Sequence, residues 1–223
     1  FTESADTYWI GTEEEGISAM NKQTRQITSY PSWTTSNLIK DVYARHDKLY
    51  VAQYAGGYSV ISPSTKSGTH FSLNESPFHP KNNIYSIYVV TSETIYLGTN
   101  LGLHRVLKGR TPQFLPELGN SPVTDIQEGH NQTIYALTNS QIYRKSKDED
   151  IFRLDSLDKL SVDGFFIDAD ATLWFTSKES VYRRQTNGRF ERVATFKGNT
   201  LGWPIAVQVG FGDGRWPTCN GFT

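Results

Sequence analysis

Cysteine is nearly absent from these 223 residues, Cys219 being the only one. One thiol excludes an internal disulfide and any multi-cysteine zinc site. It leaves the redox compartment open, because exported proteins also occur without disulfides. Neither sign of charge is in excess, 22 Lys and Arg standing against 23 Asp and Glu. With a pI near 6.6, this argues against a nucleic-acid surface or a polybasic membrane binder. No apolar run approaches the roughly 18 residues of a membrane span, and no window of about 11 residues keeps a clean helical period. The chain starts at Phe1, with neither Met nor a signal peptide, and is expected to be processed or a piece of something longer. Aromatics are plentiful: 12 Tyr, 12 Phe and 5 Trp supply enough buriable area for a core despite a mean hydropathy of −0.49.

Those aromatics recur. Trp9, Tyr50, Tyr96, Tyr135, Trp174 and Trp216 stand in similar settings, as in TYWIGTEEEGI (7–17), KLYVAQYAGGY (48–58) and TIYLGTNLGL (94–103). Their spacings are 41, 46, 39, 39 and 42 residues. The last match requires one deletion before Pro217. Each repeat divides into four short pieces rich in β-branched and aromatic residues, separated by Gly, Asn, Asp, Ser or Pro. Polar pairs such as Asp47-Lys48, Asn131-Gln132 and Asp170-Ala171 fall between the first two pieces, where they would make tight turns. Four strands per roughly 40 residues is the arithmetic of a β-propeller blade. A parallel β-helix would need shorter repeats. The expected fold is therefore an all-β propeller of four-stranded blades, either a complete ring or an incomplete one, with the whole chain forming a single propeller segment. Four full blades are expected across about 38–193, with partial blades at 1–37 and 194–223. The blade at 7–30 is expected to lack its first strand, which 204–211 would supply unless a larger ring has been cut. The repeating aromatic would pack between blades, so Trp174→Ala is expected to cost far more stability than Trp33→Ala.

Two stretches carry a family resemblance: Trp9-Ile10-Gly11-Thr12 with Gly16-Ile17, and Tyr96-Leu97-Gly98-Thr99 with Gly102-Leu103. They resemble the two-component regulator propeller repeat, found in the periplasmic sensor region of bacterial hybrid histidine kinases of the Bacteroidetes type. The repeat at 133–142 lacks both glycines, and the one at 172–181 has Ser180 where glycine is usual. The resemblance implies an extracytoplasmic ligand-sensing segment of an inner-membrane protein, with the kinase in another part of the parent chain. It also implies an oligosaccharide as the signal and dimerisation through that parent chain. A stand-alone propeller lectin or interaction scaffold is the alternative reading, and a propeller glycoside hydrolase a weaker one.

The residues show little chemistry. His46, His70, His79, His104 and His130 are spread over four repeats with no pair at metal-ligand spacing. No Gly-x-Ser-x-Gly elbow occurs, and the sialidase-type box fails upstream of Trp174. Asp168 and Asp170 read as turn caps rather than an acid and base pair. The run Glu13-Glu14-Glu15 reads as a solvated loop. No catalytic residue, metal or cofactor is expected, no nucleic acid, and no membrane contact within this segment. What remains is a binding surface. Trp33 and Trp203 fall in connections between blades, off the repeat position. Phe78 and His79 lie in the longest connection, while Tyr54, Asn100 and Asn139 lie in second-to-third strand loops. Trp33 and Trp203 either plug gaps between blades or form a platform for sugar rings, with the others bonding hydroxyls.

Overall fold

A computed structural model describes residues 1–195 apart from 77–78, 109, 156–159, 169 and 186–187. Five antiparallel sheets follow one another along the chain, each of four strands in sequence order. The first holds β1 (Thr2–Glu3), β2 (Thr7–Gly11), β3 (Ile17–Asn21) and β4 (Ile27–Tyr30). The second holds β5 (Ile39–Arg45), β6 (Lys48–Gln53), β7 (Gly57–Ser62) and β8 (Ser67–Phe71). The third runs through β9 (Ile84–Thr91), β10 (Thr94–Thr99), β11 (Gly102–Leu107) and β12 (Gln113–Leu115). The fourth has β13 (Asp125–Glu128), β14 (Ile134–Leu137), β15 (Ile142–Lys145) and β16 (Arg153–Leu154). The fifth has β17 (Gly164–Ile167), β18 (Leu173–Ser177), β19 (Ser180–Arg184) and β20 (Phe190–Thr195). The only helical pieces among the described residues are three-residue 3-10 turns in connections and one strand turn.

The first sheet differs from the sequence expectation. Its first strand is present as β1, with Thr2 opposite Trp9 and Glu3 opposite Tyr8. Two residues are too short to stand out as a strand in sequence, yet Thr2 also ties the sheet to its neighbour: its Oγ1 accepts from the Ala44 amide at 3.1 Å.

Strand alternation explains why both faces of a sheet are apolar. In β10, Ile95 and Leu97 pack back onto Tyr50 and Tyr58 of the second sheet. Tyr96, between them, packs forward onto Leu118 and Val123 of the following connection and Ile126 of the fourth sheet. The repeated aromatic keeps this forward direction. Trp9 joins Ile39, Val42 and Val51, Tyr50 joins Ile84 and Ile87, and Tyr135 packs against the cluster around Phe165 and Leu173. Each seam is thus filled by one large ring from the preceding blade.

Trp174 departs from the expected core position. It is half-buried, stacked on Phe166 with ring centres 5.9 Å apart and covered by the Arg183 guanidinium at 5.8 Å. Its forward face has no following sheet among the described residues, while Leu173 and Phe175 on the other face are buried. Trp203 and Trp216 lie outside the described residues, as does Phe78.

Candidate functional site

In the first four sheets the second-to-third strand loop lies beside a connection between sheets, either the one that enters its own sheet or the one that enters the next. Backbone bonds fix this arrangement: Ile39 N to Thr12 O, Tyr54 N to Leu38 O, Asn100 N to Asn83 O, Val123 N to Thr99 O and Val162 N to Ser140 O. These loops and connections therefore build one end of the molecule. The Thr that closes the repeat motif shapes its loop. Thr99 Oγ1 donates to Gly102 O at 2.9 Å and accepts from Leu101 N at 3.0 Å, and Thr12 makes the equivalent pair with Gly16 and Glu15. In the second sheet Gln53 takes this place. It is fully buried, and its Oε1 accepts from Thr35 N, Thr35 Oγ1 and Ser36 N while its Nε2 donates to Ser59.

On this frame stands a cluster of side chains from three successive sheets. Tyr54, 36% exposed, leans on Tyr85 with ring centres 6.4 Å apart and planes at 57°. The Tyr85 hydroxyl donates to Asn100 Oδ1 at 3.4 Å. Lys40 Nζ lies 6.0 Å from the centre of the Tyr54 ring and pairs with Glu13 Oε1 at 2.7 Å. The Lys40 ammonium holds the Glu13 carboxyl below the usual range, and burial pushes the Tyr85 hydroxyl up. The pair is exposed, so solvent screens it and its net worth is small. Two angled phenol rings, an amide and an ammonium thus share one solvent-facing patch. It can stack on the apolar face of a ring and exchange hydrogen bonds with hydroxyls.

The structure brings together two of the sequence candidates, Tyr54 and Asn100. Asn139 occupies the equivalent loop one sheet further on, exposed. His79 serves its own backbone, capping the turn Pro80–Asn82 with Nδ1 accepting from Lys81 N at 3.2 Å. Of the two readings of Trp33, its placement is that of a gap filler and not of an open platform: its ring stacks on Tyr30 at 4.0 Å and stands 6.1 Å from Trp9. Pro31 starts the 3-10 turn that folds Trp33 back onto the first sheet. Trp33 and Trp174 are therefore both half-buried and each stacked on one aromatic neighbour. Truncation of either to Ala is expected to cost a similar amount, on the order of 2 kcal/mol, below the range for a fully buried Trp. Urea midpoints differing by more than a factor of two in the derived loss would contradict this equivalence.

Sequence reasoning missed Tyr85 and Lys40, because each opens a first strand and reads there as strand or surface. It also missed Asn82, whose buried amide binds Leu73 N, Asn74 N, Asn74 O and Ser76 O and so shapes the long connection. Asp168 behaves as the expected turn cap: Oδ1 accepts from Asp170 N and Thr172 N, and Oδ2 accepts from Trp174 Nε1 at 2.7 Å. A second concave region of about 620 Å³ lies at the other end, between the first two sheets, lined by Ser4, Trp9, Ala44, Arg45 and Leu49.

No protein-family model matches the sequence, and neither does any curated protein. Solved structures do match. The extracellular domain of the hybrid two-component system BT3049 from B. thetaiotaomicron superposes with a TM-score of 0.71 at 18% identity, over 87% of this chain and 27% of that one. The extracellular domain of BT4673 from the same organism gives 0.68 at 16% identity, over 87% and 27%. Virginiamycin B lyase from Staphylococcus aureus gives 0.69 at 19% identity, over 86% and 68%. The fold is a β-propeller. The chain spans about a quarter of the length of the two-component domains it matches. Propellers of this shape thus occur both in extracellular two-component domains and in a lyase. No helix among the described residues is long and apolar enough to cross a membrane.

Proposed function

We propose that this propeller is a ligand-sensing segment of an extracytoplasmic, periplasmic receptor of the two-component type, with the histidine kinase in another part of the parent protein. The reading is supported by the repeat motif and by the architecture shared with two extracellular two-component domains. The observation that carries a binding role is the patch of Tyr54, Tyr85, Asn100 and Lys40, where exposed rings and polar groups converge without a nucleophile or paired carboxylates. The ligand class it fits is an oligosaccharide, bound without turnover. One sugar ring stacks on Tyr54, and its hydroxyls meet Asn100 and the Tyr85 hydroxyl. Affinity is modest, since each hydroxyl exchanges water for protein at small gain. Dimerisation, where it contributes to signalling, belongs to the parent chain.

Titration calorimetry of the full chain against a panel of neutral and acidic glycan oligomers tests this. Tyr54→Ala and Tyr85→Ala are each expected to weaken binding about tenfold, equivalent to roughly 1.4 kcal/mol. Asn139→Ala, one sheet away, is expected to change it less. Binding indifferent to both tyrosines would remove the patch from the site, and cleavage products in the cell would overturn the non-enzymatic reading.

A further inference from the structure

The innermost strands carry a chain of polar contacts that crosses three seams and does not touch the loop patch. Asp41 on β5 reaches into the third sheet, where its Oδ2 accepts from Ser86 Oγ at 3.1 Å and from Ile87 N at 2.9 Å. Its Oδ1 accepts from Val42 N at 2.8 Å. Ser86 on β9 has its proton committed to Asp41, so its oxygen accepts from Ile126 N of the fourth sheet at 3.0 Å. Gln127 on β13 continues the chain into the fifth sheet. Its Oε1 accepts from Ile167 N at 3.0 Å and its Nε2 donates to Phe165 O at 3.1 Å. In each seam, then, a side chain of one blade holds a backbone amide of the next.

Asp125 breaks the pattern. The registers place it opposite Leu137 just as Asp41 stands opposite Ala52 and Ser86 opposite Gly98. Yet it grips no amide of the following sheet. Its Oδ2 accepts from Gln127 Nε2 at 2.7 Å, and the Ile126 amide it leans on is already bonded to Ser86. The strands packed against β13 are β9, β10, β14 and β17, and none of them contains a Lys, Arg or His. The charge that acts on it is that of Asp41 on β5, while Glu128, further along its own strand, accepts from Tyr88 on β9. Arg45 on β5 is spent on Val89 O at 2.5 Å, and the chain's amino terminus favours the charge on Asp41. Asp125 is a carboxylate whose two donors, Gln127 Nε2 and the shared Ile126 amide, both come from its own strand, with a second carboxylate nearby and no cation beside it among the described residues.

We propose that Asp125 is a proton-operated clasp: protonated, it lets the third, fourth and fifth sheets close on one another, and ionised, it loosens the seams on either side. Burial, with the Asp41 charge adding to it, pushes the Asp125 carboxyl up to about 7, which places the change near neutral pH. The carboxyl is raised above its unfolded value near 3.8, so the stability it contributes is complete below that value and is lost as pH rises towards about 7. Burial pushes Asp41 up as well, opposed by its donors Ile87 N, Ser86 Oγ and Val42 N. The amides of Ile126 and Ile167 report the clasp, because they hold the seams on its two sides. This inference stands apart from the ligand reading, since none of its residues belongs to the loop patch.

The experiment is nuclear magnetic resonance of the labelled full chain from pH 4.5 to 8.5. The Asp125 carboxyl carbon is expected to titrate with a midpoint near 7. The Ile126 and Ile167 amide shifts should follow the same midpoint, and their exchange, corrected for intrinsic chemistry, should accelerate as pH rises towards it and level off above it. Asp125→Asn is expected to remove both responses and to flatten this part of the melting profile. In wild type that part is a fall of roughly 3 °C or more between pH 5.5 and 8. A carboxyl titrating near 4, or amide responses that persist in Asp125→Asn, would overturn the proposal. Should that variant fail to fold, the carboxyl titration of the wild type decides alone.

Discussion

Gly98→Ala is expected to destabilise the propeller by about 3 kcal/mol, at the upper end of the usual overpacking range. A Cβ built on Gly98 would sit 2.5 Å from the Val123 carbonyl oxygen and 3.0 Å from Val123 Cγ1. The carbonyl belongs to backbone that is itself pinned, since the Val123 amide donates to Thr99 O. It therefore has no cheap way to withdraw. Gly11 stands at the same place in the first repeat, but there the new methyl would meet Ile39 Cγ2 at 2.4 Å. Ile39 is buried and β-branched, and its Cβ would stand 3.0 Å away, so it too yields poorly and Gly11→Ala should cost a comparable amount, about 2–3 kcal/mol. Gly164 provides the control: its nearest neighbour would be Thr176 Oγ1 at 3.7 Å, and alanine there should be near neutral. Chemical denaturation of the three variants should show large losses for Gly98 and Gly11 and little or none for Gly164. Equal losses at Gly98 and Gly164 would mean that the glycine is not there to let the next blade approach.

This also says why the repeat was readable at all. The aromatic and the glycine each serve the following blade, one filling the seam and the other clearing a path for the incoming chain. Both therefore return at blade spacing. The second and fourth sheets carry Ala52 and Leu137 where the first and third have glycine, and both residues are buried. The motif fades where the entry to the next sheet runs differently, and the strands nevertheless form. Alternation and turn residues sufficed for the fold, down to the Asp168 cap.

The candidate site was less legible, because its members play different parts. Tyr54 and Asn100 were visible as loop residues. Tyr85 and Lys40 were hidden inside strand patterns, and only the register between sheets places them beside the loops. Trp33 looked surplus because it fell off the repeat position, whereas it packs on the repeated Trp9. The inner belt was invisible for a related reason. Asp41, Ser86, Asp125 and Gly164 occupy one register position with three residue types among them, so aligning the repeats conceals their contacts.

His104 is expected to make the fold acid-sensitive through a seam that Asp125 does not share. Its side chain is 2% exposed, faces the second sheet from the same side as Leu97, and lies against Phe114 with ring centres 5.5 Å apart. Neither ring nitrogen has a hydrogen-bond partner. Burial, with the Lys81 charge adding to it, lowers the imidazole to about 4 from 6.5. A base with a depressed pKa behaves oppositely to Asp125. The unfolded chain takes up the proton first, so stability is complete above about 6.5 and drains away as pH falls towards 4. The loss over that window should be on the order of 2 kcal/mol once solvent screening is allowed for. Because Asp125 gains stability over the same descent, the wild-type profile alone would blur the two. The difference between variants separates them. His104→Leu removes the titration, keeps the site apolar and leaves no unpaired nitrogen, so it should equal or exceed wild type at pH 7.5. Its advantage should widen steadily down to pH 4.5, read as urea midpoints at each pH. A constant offset between the two proteins across that range would show that the imidazole does not resist protonation in the fold.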